Sequence, residues 1–261
     1  MASALIGGLI AKGFDAAAIS VIEVSSGARE RLAARHRVRV STAPDAATQE
    51  SDTLVLAVKP QDMKAALAAL GGKVDAKLVI SVAAGLRLAD LSRWLGGHAR
   101  LVRCMPNMPA LIGAGITGLY ALPAVSVEER TRAASILAAV GEVVWVEDEA
   151  LLDPVTAVSA SGPAYVFWFI EQLALAGEKL GLPPDVARKL ALHTVLGAAK
   201  LAAQSGEAPG TLREQVTSKG GTTEAALRVF AEERLAERFM RALEAASRRG
   251  AELGEQLGKD R

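Results

Sequence analysis

Residues 53–70 read TLVLAVKPQDMKAALAAL. Thr53–Val58 is an apolar, β-branched run of strand length. Lys59 then gives way to Pro60, whose fixed φ and missing N–H suit the first position of a helix. That helix is expected to run to Leu70, so strand, tight turn and helix follow one another directly. The same alternation extends on both sides. Strands are expected at Ile19–Val24, Val38–Ser41, Leu78–Val82, Leu101–Cys104, Gly115–Tyr120 and Val143–Val146. Helices are expected at Ser26–Arg35, Leu88–Leu95 and Val127–Val140, the last opened by a capping box of Ser126 and Glu129. Apolar strands alternating with helices predict a mostly parallel sheet covered on both faces.

After about residue 149 the strand signals stop. A long helical stretch is expected over Ala150–Leu180, with an interruption at Gly162-Pro163 and an end at Gly181. Further helices are expected at Pro184–Gln204, Pro209–Val216, Thr222–Glu232 and Leu235–Leu257. The reading is therefore an α/β domain over 1–148 followed by an all-α domain over 149–261. The Ala-rich faces of the second domain, including Val195–Ala203, suit a subunit interface.

Composition narrows the class of function. The 261 residues carry 30 basic and 29 acidic side chains, a formal charge of +1, with no long run of either sign. Nucleic acid is not the expected partner, because phosphate contacts need a one-sided surplus of Lys and Arg. Aromatics make up 4%, too few for base-stacking platforms. No apolar run reaches transmembrane length. Cys104 is the single cysteine, which suits a reducing compartment, and a cytoplasmic location is expected. His36, His98 and His193 have no metal-ligand spacing, so no metal is expected. The apolar N-terminus has Lys12 after it and no cation before it, so it reads as a helix closed by Gly13 rather than a signal peptide.

Doubly wound sheets bind dinucleotides at the C-terminal ends of their strands, and four loops stand at such ends. Glu23, followed by Ser25, ends the first visible strand, where an acidic side chain accepts from a ribose hydroxyl. Ala57-Val58-Lys59-Pro60, the stretch Ser81–Gly85 with Ala83 and Ala84, and Arg103–Pro109 with Asn107 end three others. The fold class is thus Rossmann-like. One part is missing: the chain opens inside a helix, with neither the first strand nor a G-x-G-x-x-G turn before it, and Gly7-Gly8 lies too far into that helix to serve. The expectation is that roughly ten natural residues, one strand and its turn, precede Met1.

The densest chemical signal is Val216-Thr217-Ser218-Lys219-Gly220-Gly221-Thr222-Thr223. Hydroxyls, a cation and two glycines lie between two helical runs. Helix-start N–H groups are unpaired and the helix dipole favours negative charge there, while glycine lets an anion approach the backbone. The turn reads as a seat for a small carboxylate or a phosphate.

Taken in order, these motifs resemble the bacterial pyrroline-5-carboxylate reductases of proline biosynthesis. The resemblance covers essentially the whole chain and is carried by Met1–Leu9, Val58–Gln61, Ser81–Gly85, Met105–Pro109, Ser159–Phe167 and, most specifically, Val216–Thr223. It implies an enzyme that reduces the C=N bond of pyrroline-5-carboxylate with a nicotinamide hydride. It places the substrate carboxylate on the Ser218 and Thr223 hydroxyls and the Gly220 and Gly221 amides. It sets Thr156 near the substrate nitrogen, where two readings stand open: positioning or protonating the imine, or a bond to its own helix backbone. Gln215 falls near the cofactor, and Lys219 departs from the proline often found at its position. The family generally uses NADPH, with NADH taken by some members. Glu23 favours NADH by repelling a 2′-phosphate, whereas Ser25, Ser26 and Arg29 suit that phosphate. Family members form dimers through the helical domain that build into larger rings. Two rival readings are a related imine or hydroxyacid reductase and a non-catalytic remnant. The hydroxyacid reading asks for a lysine early in the long helix, and Lys179 is the only one there, near its end.

Overall fold

The computed structural model describes residues 1–71 and 74–259. Two compact units are present, Met1–Ser161 with Ala246–Arg261, and Gly162–Ala245.

The first unit alternates α1 (Ala2–Ala11), β1 (Ser20–Ile22), α2 (Ser26–His36), β2 (Arg39–Ser41), α3 (Ala46–Glu50), β3 (Thr53–Leu56), α4 (Met63–Leu70), β4 (Leu78–Ser81), α5 (Leu88–Trp94), β5 (Leu101–Pro106), β6 (Gly115–Ala121), α6 (Val127–Leu137), β7 (Gly141–Trp145) and α7 (Leu152–Val155). Strand pleating divides its core. Leu78, Ile80, Val102 and Cys104 meet α1 and α6 through Leu5, Ala133 and Leu137. Val79 and Leu101, pointing the other way, meet α4 and α5 through Met63, Leu67, Leu88 and Leu91. Both faces of β4 are therefore dry, which is why Leu78–Ser81 is apolar without alternation until its terminal serine.

The strands form two sheets. β1 and β2 pair in parallel; the other has the order β3-β4-β5-β6-β7. β1 and β3 share no ladder among the described residues, the separation shown by a doubly wound sheet without its usual first strand. All pairs in the larger sheet are parallel except β5–β6. That exception has a local cause: residues 107–114 are too few for a crossover, and Met108–Ile112 instead makes a 3₁₀ turn that reverses the chain. Gly118 on β6 is needed for α7 to approach, since a Cβ there would lie 2.7 Å from Val155 Cγ1.

The expected helical stretch after residue 149 is subdivided. Glu149–Leu151 is a 3₁₀ turn, α7 follows, and Thr156–Ala160 is a π-turn closed by Ser161 N–H donating to Thr156 O at 2.9 Å. Pro163 has no N–H to continue the ladder, so helix resumes from Gly162 with a shifted phase. α3 lay outside the expected elements; Asp45 and Thr48 cap it reciprocally.

The second unit holds α8 (Gly162–Lys179), α9 (Pro184–Ser205), α10 (Pro209–Gln215), α11 (Thr222–Glu232) and the first part of α12 (Leu235–Gly258). Gly177 lets α8 and α9 meet closely, because a Cβ there would stand 3.2 Å from the Ala187 Cβ. No described helix is long and apolar enough to cross a membrane.

Candidate active site

β3, β4 and β5 run in the same direction, with Leu56 beside Ser81 and Ser81 beside Arg103. The loops after them, containing Ala57–Pro60, Ala83 and Ala84, and Asn107, therefore leave one end of the sheet. Val58 turns its side chain towards the core, while Ala57 and Lys59 are exposed. Ala83 is buried and its N–H donates to Ser81 Oγ at 3.3 Å; Ala84 is exposed. Gly85 turns the chain at φ +80°. Asn107 is buried, and its Oδ1 accepts from Ile116 N–H at 3.0 Å, so it anchors the start of β6.

The β1–α2 turn is closed by its own side chains. Glu23 Oε1 accepts from Ser25 N–H at 2.8 Å. The Arg29 guanidinium donates back to the carbonyls of Glu23 (2.9 Å) and Val24 (2.8 Å). Ser25 is the N-cap of α2 by position, and its own hydroxyl makes no cap bond.

In the second unit, Gln215 ends α10 and its Nε2 donates to Glu207 Oε2 at 2.6 Å. Gly220 has φ +73°, a conformation that L side chains rarely adopt. A Cβ on Gly221 would lie 2.5 Å from Ser218 Oγ. Gly220 is required by its positive φ, and Gly221 packs tightly against Ser218, but the amides of both are occupied within the chain. Gly221 N–H donates to Ser218 O at 3.0 Å, and Gly220 N–H to Glu224 Oε2 at 2.7 Å. The chain itself satisfies the two donors expected to hold an anion. Among the described residues, no acceptor meets the N–H groups of Thr222, Thr223 and Glu224 at the start of α11, with the Ser218 and Thr223 hydroxyls beside them.

Thr156 belongs to the first unit and opens the π-turn. Its hydroxyl donates to Leu152 O at 2.6 Å, the backbone bond that one reading foresaw. The donor is used, and the oxygen keeps its capacity to accept.

One group of charges went unnoticed in the sequence. Arg103, on β5, is buried and lies 3.0 Å from Glu149 Oε1 and 3.8 Å from Asp153 Oδ1. Arg87 Nη2 is 2.6 Å from Asp153 Oδ2, and Leu88 N–H donates to Glu149 Oε1 at 2.8 Å. Burial pushes the Arg103 pKa down, against the pull of Glu149. Cys104 is free and buried, and burial pushes its thiol far above the usual range, so it offers no nucleophile. Two cavities, of 310 and 470 Å³, contain none of the expected site residues; they lie beside His36 and beside Trp145. No cluster of three or more metal-ligating side chains exists among the described residues.

A family model described as pyrroline-5-carboxylate reductase dimerisation matches residues 149–253, and one described as NADP oxidoreductase, coenzyme F420-dependent, matches 1–85. The pyrroline-5-carboxylate reductase of Pseudomonas aeruginosa is 45% identical over 260 residues, covering 99% of this chain and 95% of that one. The solved structure of such a reductase from Coxiella burnetii is 39% identical with a TM-score of 0.92, covering 97% and 94% of the two chains. One from Plasmodium falciparum, solved with NADP bound, is 26% identical with a TM-score of 0.83 over 97% and 94%. Fold and loop set define a nicotinamide-dependent oxidoreductase with a Rossmann-like domain and a helical dimerisation domain. Identity across nearly its whole length makes the assignment narrower: the chain belongs to the pyrroline-5-carboxylate reductase family.

Proposed function

We infer that this chain reduces the C=N bond of 1-pyrroline-5-carboxylate to L-proline, the last step of proline biosynthesis, with a hydride from a nicotinamide cofactor. The observation that carries the reading is the Ser218–Thr223 turn, where a left-handed Gly220 and a closely packed Gly221 open a helix whose first amides have no acceptor among the described residues. The substrate carboxylate is assigned to the Ser218 and Thr223 hydroxyls and the adjoining helix-start amides. Gly220 and Gly221 act by shaping that seat. Thr156, whose O–H already donates to Leu152 O, suits accepting from the protonated imine N–H. It therefore orients the electrophile rather than protonating it. Bound nicotinamide supplies the hydride, and the chain supplies placement and exclusion of water.

The small residues Ala57, Ala83 and Ala84 at one sheet edge fit a dinucleotide. Val58, Lys59, Pro60 and Asn107 shape the same edge, Glu23 and Ser25 stand at the ribose position, and Gln215 adds a polar contact. NADPH is the donor we assign from the family, with NADH as the competing choice. Subunits pair through the helical domain as a homodimer that extends to a larger ring, and the site of action is the cytoplasm.

The test follows NAD(P)H oxidation with pyrroline-5-carboxylate. Thr223→Ala removes one hydrogen bond to a charged group, worth about 1.5–3 kcal/mol. The substrate KM should rise roughly tenfold or more, with kcat far less affected. Unchanged KM and kcat would remove the carboxylate from this turn.

A further inference from the structure

The four charges of Arg87, Arg103, Glu149 and Asp153 are poorly explained as stabilisers. Arg103 and Asp153 have side chains only 3% and 9% exposed. Desolvating such groups costs about as much as their pairing returns, and apolar or neutral replacements of whole buried networks are often no less stable. What the network does achieve is a set of fixed distances. Arg87 follows the Ala83-Ala84-Gly85 turn by two residues, and Arg103 precedes Asn107 on the same strand and loop. Asp153 lies three residues before Thr156. Glu149, through Leu88 N–H, holds the first amide of α5.

The same turn is clamped from a second side. A Cβ on Gly254 of α12 would lie 3.0 Å from Gly85 O and 3.1 Å from Arg87 Nε, and one on Gly85 would lie 3.0 Å from Leu257 Cδ1. Arg87 is thus confined between the α12 backbone and Asp153, with little freedom to shift.

We propose that Arg103 and Asp153, with Arg87 and Glu149, are positioning residues that lock Thr156 in register with the cofactor loops after β4 and β5. This rests on the function proposed above. The bonds they make run to one another and to Leu88 N–H, so they act through the loops they join.

The decisive variant neutralises all four at once, R87M/R103M/E149Q/D153N, in the full chain. Gln at 149 keeps the acceptor for Leu88 N–H. The expected result is a thermal midpoint close to the parent, kcat lowered at least tenfold with a smaller change in cofactor KM, and faster amide exchange confined to residues 82–88, 105–109 and 152–160. Parental kcat and parental exchange in the folded variant would overturn the proposal. Should the fourfold variant not fold, Asp153→Asn alone keeps size and one hydrogen bond, and the same two outcomes decide. Turnover by the parent is measured first. If the parent does not turn over pyrroline-5-carboxylate, the functional reading fails; local exchange then still reports whether the network holds these loops.

Discussion

At Glu23 a single carboxylate faces two uses. It accepts from Ser25 N–H, a donor that would otherwise be available to a phosphate oxygen, and Arg29, the nearby cation suited to phosphate, is spent on the carbonyls of Glu23 and Val24. Both facts disfavour a 2′-phosphate, against the NADPH assigned above. The side chain is partly exposed, so the Coulomb penalty is screened. Glu23→Ser removes the charge and frees the amide. The ratio of kcat/KM for NADPH over NADH should rise about tenfold, a change of ~1.4 kcal/mol, in steady-state assays with both cofactors. An unchanged ratio takes Glu23 out of cofactor selection. A comparable self-contact occurs at Glu224, whose carboxylate holds Gly220 N–H. In both places a nearby carboxylate satisfies a backbone donor, and at Gly220 that donor is one the sequence had pointed to as a carboxylate contact.

Among the helices, α6 shows how element ends were legible. Ser126 and Glu129 were read as a capping box, and both bonds are present: Glu129 N–H to Ser126 Oγ at 3.2 Å, Ser126 N–H to Glu129 Oε2 at 2.9 Å. Burial pushes the Glu129 carboxyl up, but the Ser126 N–H and the Arg100 guanidinium outweigh it, and its pKa is lowered. A carboxyl whose folded pKa lies below its unfolded value adds stability that is fully present above the unfolded value, and loses it as pH falls through the folded one. The chain should therefore lose stability on acidification below the ordinary glutamate value of about 4.3, and Glu129→Gln should flatten that slope. Urea midpoints between pH 3 and 7 check this (a range set by the ordinary value); parallel curves for both chains would refute it. Gly181 and Pro184 marked other ends equally well because proline and glycine act through their own backbone, whereas Pro60 opens a 3₁₀ turn over Pro60–Asp62 and α4 follows only at Met63. The β5–β6 reversal did not show, since both strands read as ordinary buried strands despite Arg103 and Thr117, and direction depends on the connection. The buried charge network was illegible for another reason: Arg87 and Asp153 are 66 positions apart, and no local pattern announces such a pair. The Ser218–Thr223 turn was legible as a turn from its glycines, whereas the use of its amides depended on where Glu224 and the Ser218 carbonyl came to lie.

For the whole molecule the decisive feature is α8, where Val166, Phe167, Trp168 and Phe169 are 44%, 56%, 59% and 49% exposed in the single chain. Successive helical residues are turned by about 100°, so four in a row span nearly the full circumference. No single apolar stripe against one neighbouring helix accounts for that. An exposed set of this size on an isolated chain marks an interaction surface, in agreement with the dimerisation family model over 149–253. A charge placed in it must be desolvated on assembly. Trp168→Glu should shift the mass measured by light scattering from dimer or larger towards monomer at micromolar concentration. The first unit should stay folded, because its sheet core of Leu78, Ile80, Val102 and Leu119 contains no residue of α8. A variant that keeps the parental mass would place the subunit interface on another face.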